Sequence, residues 1–134
     1  FVIGAAVAIL FGYTDPAAIT TIGAGAVTYI VGPVTGEAIG ASDAVITLSV
    51  AAGLVKSILV MIGTPMVAGA IRLNNPQSAM VFGGLMGTTS GVAAGLAATD
   101  PKLVPYGAMT ATFYTGVGCL MGPSVLYFLV SALV

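Results

Sequence analysis

The stretch from residue 44 to residue 71 restricts the fold most, because it is apolar except for weakly polar residues and one charge, Lys56. As an α-helix it would be about 42 Å long, which exceeds the roughly 30 Å hydrocarbon core of a bilayer. The whole chain has three basic and four acidic residues among 134. Water-soluble domains carry roughly 25% charged residues. We therefore expect an all-α membrane protein whose surface faces lipid or other protein.

Two further apolar stretches, residues 16–40 and 77–99, are interrupted by residues that weaken a helix. The first contains Gly32-Pro33-Val34-Thr35-Gly36 followed by Glu37, and the second contains Gly87-Thr88-Thr89-Ser90-Gly91. Glycine costs a helix roughly 1 kcal/mol relative to alanine, and proline removes a backbone donor. Irregular backbone is tolerated at membrane depth only where protein or water surrounds it. We predict two broken helices whose interruptions approach each other near the bilayer midplane.

The remaining stretches complete one transmembrane domain over residues 1–134. Residues 1–13 are too short to cross and resemble the end of a helix, whereas residues 106–134 are long enough. Thr-Asp-Pro occurs at 14–16 and again at 99–101, which predicts a helix start at each place. The sequence thus predicts about five transmembrane segments, two of them interrupted. Because the chain begins at Phe1 in apolar sequence, we expect it to be a fragment or a processed piece of a longer protein.

Composition also limits the function. The chain has no histidine and one cysteine, Cys119, so a Ser-His or Cys-His catalytic pair and a Cys/His metal site are excluded. Its net charge of −1 provides no basic face for nucleic acid. We expect neither an enzyme nor a nucleic-acid-binding protein.

The two interruptions are the candidate ligand sites. Helix N-termini and hydroxyls suit an anion, whereas freed carbonyls and hydroxyls suit a hard cation. The alternative is that these glycines and threonines only allow close helix packing. The candidate substrate-binding residues are Gly32, Pro33, Val34, Thr35, Gly36, Gly87, Thr88, Thr89, Ser90, Gly91 and Lys56. The candidate ion ligands are Glu37, Thr35, Thr88 and Ser90.

Two charged side chains leave alternatives open. Lys56 lies mid-span, where a cation is costly and by default functional. It either attracts a substrate carboxylate or pairs with Glu37 or with another part of the protein as a structural counter-ion. Glu37 is an interfacial residue, an oxygen ligand for sodium, or a proton carrier in place of sodium.

Three runs carry a resemblance to a known family. They are GPVTGEAIGAS at 32–42, the stretch 72–101 from RLNNPQSAM to GLAATDP, and PYGAMTATFYTGVGCLMGPS at 105–124. They resemble MadM, the membrane subunit of bacterial malonate carriers, over essentially the whole chain, and the resemblance implies that the chain is the C-terminal half of that subunit. The resemblance implies a multi-pass protein of the bacterial inner membrane that transports malonate with sodium. It also implies a second small membrane subunit. We expect no cofactor beyond the coupling ion, and homo-oligomerisation is left open.

The order of features is also similar to the LrgB/CidB holin-like family. In that family a Thr-rich break, a full span, a basic loop with proline and a G-T-S-S-H break follow one another. The corresponding run here, residues 87–91, lacks the histidine. The alternative function is therefore a holin-like pore or an export-associated membrane protein, which would show flux without saturation or sodium coupling.

Overall fold

The computed structural model describes all residues from 1 to 134, and they form helices and turns without any strand. The elements in chain order are α1 (Val2–Leu10), α2 (Pro16–Val27), α3 (Val31–Ile39), α4 (Asp43–Val67), α5 (Pro76–Met86), α6 (Thr89–Ala97), a 3₁₀ turn (Pro101–Leu103), α7 (Val104–Met121), a π-helical segment (Gly122–Leu126) and α8 (Tyr127–Leu133). The predicted all-α class is confirmed. The chain divides into a first unit, Phe1–Leu54 with Gly116–Val134, and a second unit, Val55–Thr115.

Side-chain caps fix where several helices begin. The carboxylate of Asp15 accepts a hydrogen bond from the Ala18 N–H at 2.9 Å, directly before Pro16 at the first helical position. Asn75 caps α5 by accepting from the Ser78 N–H at 2.9 Å. Such caps satisfy N–H groups that have no partner within the helix. The helix start predicted from Asp15-Pro16 therefore occurs where the sequence places it.

Two helical stretches are long and apolar enough to cross a membrane by length and composition, namely Asp43–Val67 and Pro101–Leu133. The 25 residues of α4 extend about 37 Å. Large apolar side chains remain exposed along α4, with Leu59 65% and Ile62 59% exposed. Because the core helix of a soluble protein would bury such side chains, this exposure favours a helix that faces lipid or another protein.

The other helices are shorter than the predicted spans. The helices α1, α3 and α6 have 9 residues each, and α2 and α5 have 12 and 11. Each is therefore about 14–18 Å long, roughly half of a 30 Å hydrocarbon core. The predicted count of five crossing segments is not confirmed.

In the first unit, α2 and α3 form an antiparallel pair. A β-carbon built on Gly32 would lie 2.9 Å from the Cα of Gly25, and one built on Gly36 would lie 2.8 Å from Cγ2 of Thr21. Later residues of α3 thus contact earlier residues of α2, so the chain turns back at residues 28–30. The predicted broken helix over residues 16–40 is not confirmed, since the helical stretch is interrupted at residues 28–30, before Gly32-Pro33.

The local chemistry explains why the turn precedes Gly32 and Pro33. Both residues lie in the first turn of α3, which begins at Val31. The first N–H groups of a helix have no partner within it, so a proline is tolerated there. Pro33 therefore marks the start of α3 rather than a break inside a helix.

In the second unit, α5 and α6 also fold back on each other. A β-carbon on Gly107 of α7 would lie 3.2 Å from the carbonyl oxygen of Ala79 in α5 and 3.0 Å from Cγ1 of Val92 in α6. It would also overlap the side chain of Leu96. In a single straight helix, residues 79 and 96 would be about 25 Å apart and could not both contact one glycine. The chain reverses at Gly87, whose φ of +66° is readily adopted only by glycine.

Each unit has its own apolar core. That of the first unit contains Ala5, Ala8, Ala18, Ile19, Ile22, Val45 and Val130. That of the second contains Ala68, Leu73, Ala79, Phe82, Val92, Leu96, Leu103 and Ala111. The first core takes its side chains from α1, α2, α4 and α8, whereas the second includes both members of the α5–α6 pair and the longer helix α7.

Candidate functional site

Thr88 is the central residue of the interruption between α5 and α6. It is fully buried, and its hydroxyl oxygen lies 2.5 Å from that of Ser57 on α4. Thr88 occupies the N-cap position of α6 but makes no side-chain capping bond. Because its hydroxyl is used by Ser57, no side chain caps the first N–H groups of α6. The helix therefore presents uncapped donors at Thr89, Ser90 and Gly91.

Further hydroxyls surround the same turn. The Thr89 and Thr112 hydroxyl oxygens are 3.2 Å apart. The Thr115 hydroxyl donates to the Ala111 carbonyl at 2.9 Å and lies 3.3 Å from the Gly87 carbonyl oxygen. Thr88 and Thr89 were predicted from the sequence, whereas Ser57, Thr112 and Thr115, which lie in ordinary helices, were not. The only available signal was the spacing of Thr112 and Thr115 on one helix face.

Two residues predicted at this interruption have different surroundings. Ser90 is exposed, whereas Gly91 is buried. A β-carbon on Gly91 would lie only 2.7 Å from the Ser57 carbonyl oxygen. The absence of a side chain at Gly91 therefore lets α6 approach the backbone of α4, as the packing interpretation requires.

The α2–α3 pair contains three buried hydroxyls. Thr20, Thr21 and Thr35 are all 0% exposed, and none of their hydroxyl oxygens has a hydrogen-bond partner. Thr35 was predicted as an ion and substrate ligand. Thr20 and Thr21 were missed, because they lie in a stretch whose helical pattern contains no break.

Some of the other predicted residues of this pair pack against neighbouring helices, and others are exposed. Gly32 and Gly36 pack against Gly25, Thr21 and α4. Val34 and Glu37 are exposed, and Pro33 is half-buried. Positions 35 and 37 are about 200° apart around a helix, so Glu37 is on the side of α3 opposite Thr35. The role of Glu37 as an ion ligand stays a prediction.

Lys56 lines an apolar groove between α4 and α5 in the second unit. The groove has a volume of about 810 Å³, and Lys56 is the one charged residue in its lining. Its apolar lining includes Leu59, Val81, Phe82 and Met86. Lys56 directly precedes Ser57, whose hydroxyl contacts Thr88. The structure therefore places this cation beside the α5–α6 interruption, whereas its pairing with Glu37 and the mutual approach of the two interruptions stay predictions.

Exposed apolar helices, two folded-back helix pairs and hydroxyls buried at the turns define this chain as a helical membrane protein with polar sites inside it. The model of one protein family, the malonate/sodium symporter MadM subunit, matches residues 1–134. The chain belongs to this family, so it is a subunit of a malonate/sodium symporter, and the resemblance seen in the sequence is confirmed. Searches of the curated proteins and of the solved structures returned no match.

Proposed function

We propose that this chain binds malonate at the α5–α6 interruption and carries it across the bacterial inner membrane together with sodium. The single observation that carries the proposal is the uncapped start of α6, since Thr88 is bonded to Ser57 instead of capping its own helix. Membership of the symporter family supplies the transport class and the pair of transported species.

The chemistry of this turn suits a carboxylate. The N-terminus of a helix carries a partial positive charge, and its free N–H groups donate to anions. The N–H groups of Thr89 and Ser90 hold one carboxylate oxygen each in this proposal. The Thr89 hydroxyl, which donates to Thr112 in this structure, turns to the ligand as a further donor. Lys56 contributes a positive potential from the neighbouring helix, which favours a dianion over a neutral molecule.

The depth of the turn supports a site inside the membrane. The 11 residues of α5 extend about 16 Å, close to half of the hydrocarbon thickness. A pair that enters from one side and folds back at Gly87 would therefore place Thr88 near mid-depth. Irregular backbone at that depth is stable only where protein or a water-filled cavity surrounds it, and Thr88 is fully buried.

The assembly is part of the same proposal. A chain classed as a subunit works with a partner, and we propose the second small membrane subunit of the carrier. The exposed apolar side chains of α4 would contact lipid, that subunit or a second copy of this chain. The coupling ion needs a separate set of oxygen ligands. A site of N–H donors beside a lysine suits an anion, and it offers a sodium ion no oxygen atoms.

The test is uptake of labelled malonate by proteoliposomes containing the complete carrier. Uptake should saturate with malonate and depend on a sodium gradient. Thr89→Val should raise the KM for malonate several-fold because it removes a carboxylate donor. Thr110→Val is the matched control, since the Thr110 hydroxyl only donates to the Tyr106 carbonyl of its own helix.

Two outcomes would contradict the proposal. Unsaturable flux without sodium dependence would favour a pore of the holin-like class. If the KM for malonate is unchanged in both Thr89→Val and Ser57→Ala, the substrate carboxylate does not bind at this turn. The transport of malonate with sodium would then stand, with its binding site elsewhere.

A further inference from the structure

Three threonines of the first unit have hydroxyls that differ from the other hydroxyls of its helices. Thr20, Thr21 and Thr35 are fully buried, yet their oxygen atoms have no hydrogen-bond partner. An unsatisfied buried polar group costs about 1–3 kcal/mol. Native structures contain few such groups, so three within one pair of short helices require an explanation.

These hydroxyls had a simple alternative within their own helices. A threonine in a helix can donate to the carbonyl one turn earlier, which satisfies the hydroxyl locally. The chain uses that bond at Thr47, Thr64, Thr99, Thr110, Thr112, Thr115, Ser124 and Ser131. Thr20, Thr21 and Thr35 do not use it. Their oxygens therefore remain without a hydrogen bond inside their own helices.

The packing brings Thr21 and Thr35 to one region, and Thr20 is the chain neighbour of Thr21. The hydroxyl oxygen of Thr21 is 3.3 Å from the position that a β-carbon on Gly36 would occupy, and Gly36 is the neighbour of Thr35. The side chain of Thr35 lies against Gly122 of the π-helical segment. The Cβ of Thr35 is 3.2 Å from the position that a β-carbon on Gly122 would occupy. The π-helical segment also contacts α2. Three backbone elements thus meet around these hydroxyls.

The elements themselves are of the kind that form ligand sites. Single-turn π-helical segments inside α-helices occur frequently at functional sites. Gly36 and Gly122 contribute no side chain, so the threonine oxygens lie directly against backbone. The result is a region of neutral oxygen atoms without any carboxylate, which suits a cation of low charge.

We propose that the hydroxyl oxygens of Thr20, Thr21 and Thr35 ligate one sodium ion in the first unit. This proposal rests on the proposed function only in taking sodium as the coupling ion. Hard cations prefer oxygen ligands, and the lone pairs of three hydroxyls that donate to no carbonyl are available for a cation. Backbone carbonyls or water would complete the coordination.

The proposal changes the ion ligands expected from the sequence. Thr88 is bonded to Ser57, and Ser90 and Glu37 are exposed. Thr35 alone remains from that set, joined by Thr20 and Thr21. The ion ligands and the carboxylate ligands then belong to different helix pairs.

The test measures sodium binding without transport. The purified complete carrier is unfolded thermally in sodium chloride and in potassium chloride at equal ionic strength. We expect sodium to raise the unfolding temperature of the native carrier by several degrees more than potassium does, because a ligand that binds only the folded state stabilises it. Thr21→Val and Thr35→Val should lose that sodium-specific increase.

The stability in potassium separates this proposal from a purely structural role. Replacing an unsatisfied hydroxyl by a methyl of similar shape should leave the unfolding temperature in potassium unchanged or higher. Thr35→Ser keeps the hydroxyl and should keep the sodium effect. Thr64→Val is the control, since Thr64 is equally buried but donates to the Val60 carbonyl.

Three results would overturn the proposal. They are a native carrier with no sodium-specific increase, Val variants that keep the increase, and Val variants that lose equal stability in both salts, as loss of an ordered water would cause. If the variants abolish sodium binding but malonate uptake proves independent of sodium, the ion site stands and the proposed coupling fails.

Discussion

Replacing Gly91 by alanine tests whether the close approach of α6 to α4 holds the candidate malonate site together. A β-carbon at position 91 would lie 2.7 Å from the Ser57 carbonyl oxygen, 3.2 Å from the Ser57 Cα and 3.0 Å from Cγ2 of Thr88. Ordinary contacts begin near 3.4 Å. The nearest atom belongs to the Ser57 backbone and cannot rotate away, so α6 must move instead.

The size of the effect follows from these distances. Relieving the 2.7 Å contact requires a shift of about 0.7 Å, that is 3.4 minus 2.7. Overpacking of this kind costs about 1–3 kcal/mol, against a gain of up to about 1 kcal/mol from replacing glycine by alanine in a helix. The same shift would lengthen the 2.5 Å bond between Ser57 and Thr88 to roughly 3.2 Å, near the upper limit for a hydrogen bond.

The matched control is Gly63→Ala on α4. Gly63 has no atom within 4 Å of an added β-carbon, so alanine there should be neutral or stabilising. Because both variants gain the same helix propensity, we expect them to differ by the overpacking cost of about 1–3 kcal/mol, which corresponds to several degrees in the unfolding temperature of the purified carrier. Gly91→Ala should also raise the KM for malonate. Ser57→Ala should not rescue Gly91→Ala, because the clash is with the carbonyl. Equal unfolding temperatures and equal KM values in Gly91→Ala and Gly63→Ala would refute this role for Gly91.

Three further predictions concern the α2–α3 pair and the mid-span cation. Asp15→Ala should lower the stability of the carrier by about 1 kcal/mol, measured by thermal unfolding, since it removes the cap of α2; an unchanged unfolding temperature would mean that this cap contributes nothing. In a Cys119→Ala background, Thr14→Cys and Ser42→Cys should react with a membrane-impermeant maleimide from the same side of the membrane, whereas a crossing helix would separate them. Lys56→Met should abolish malonate uptake by a carrier that is still inserted, and normal uptake would exclude Lys56 from the mechanism.

The helical class, the long central span and the capped helix starts could all be predicted from sequence, because each depends on local properties. Hydrophobicity identifies α4 without reference to the rest of the chain, and Asp15-Pro16 specifies a helix start from its own chemistry. The direction of the chain after a weak point is different. Whether α3 continues α2 or folds back on it depends on contacts such as Gly25 with Gly32, which a one-dimensional pattern does not contain.

The candidate sites show the same division. Thr88 and Thr35 could be identified because they follow glycines and a proline within apolar sequence. Ser57, Thr20 and Thr21 lie in regular helices, where a hydroxyl usually bonds to its own backbone. Only the three-dimensional packing distinguishes the hydroxyls that do so from the ones that do not.

The two helix pairs differ in chemistry in a way that fits symport of an anion with a cation. At the α5–α6 turn the hydroxyl of Thr88 is already engaged, so the features that remain are N–H donors and a neighbouring cation, which attract a carboxylate. In the α2–α3 pair the hydroxyls of Thr21 and Thr35 are not engaged, so oxygen lone pairs remain, which attract a cation. Because a symporter couples the binding of its two transported species, occupation of one pair should favour occupation of the other. Sodium should therefore lower the concentration of malonate needed for half-maximal protection against unfolding, and this effect should disappear in Thr35→Val while malonate binding itself persists.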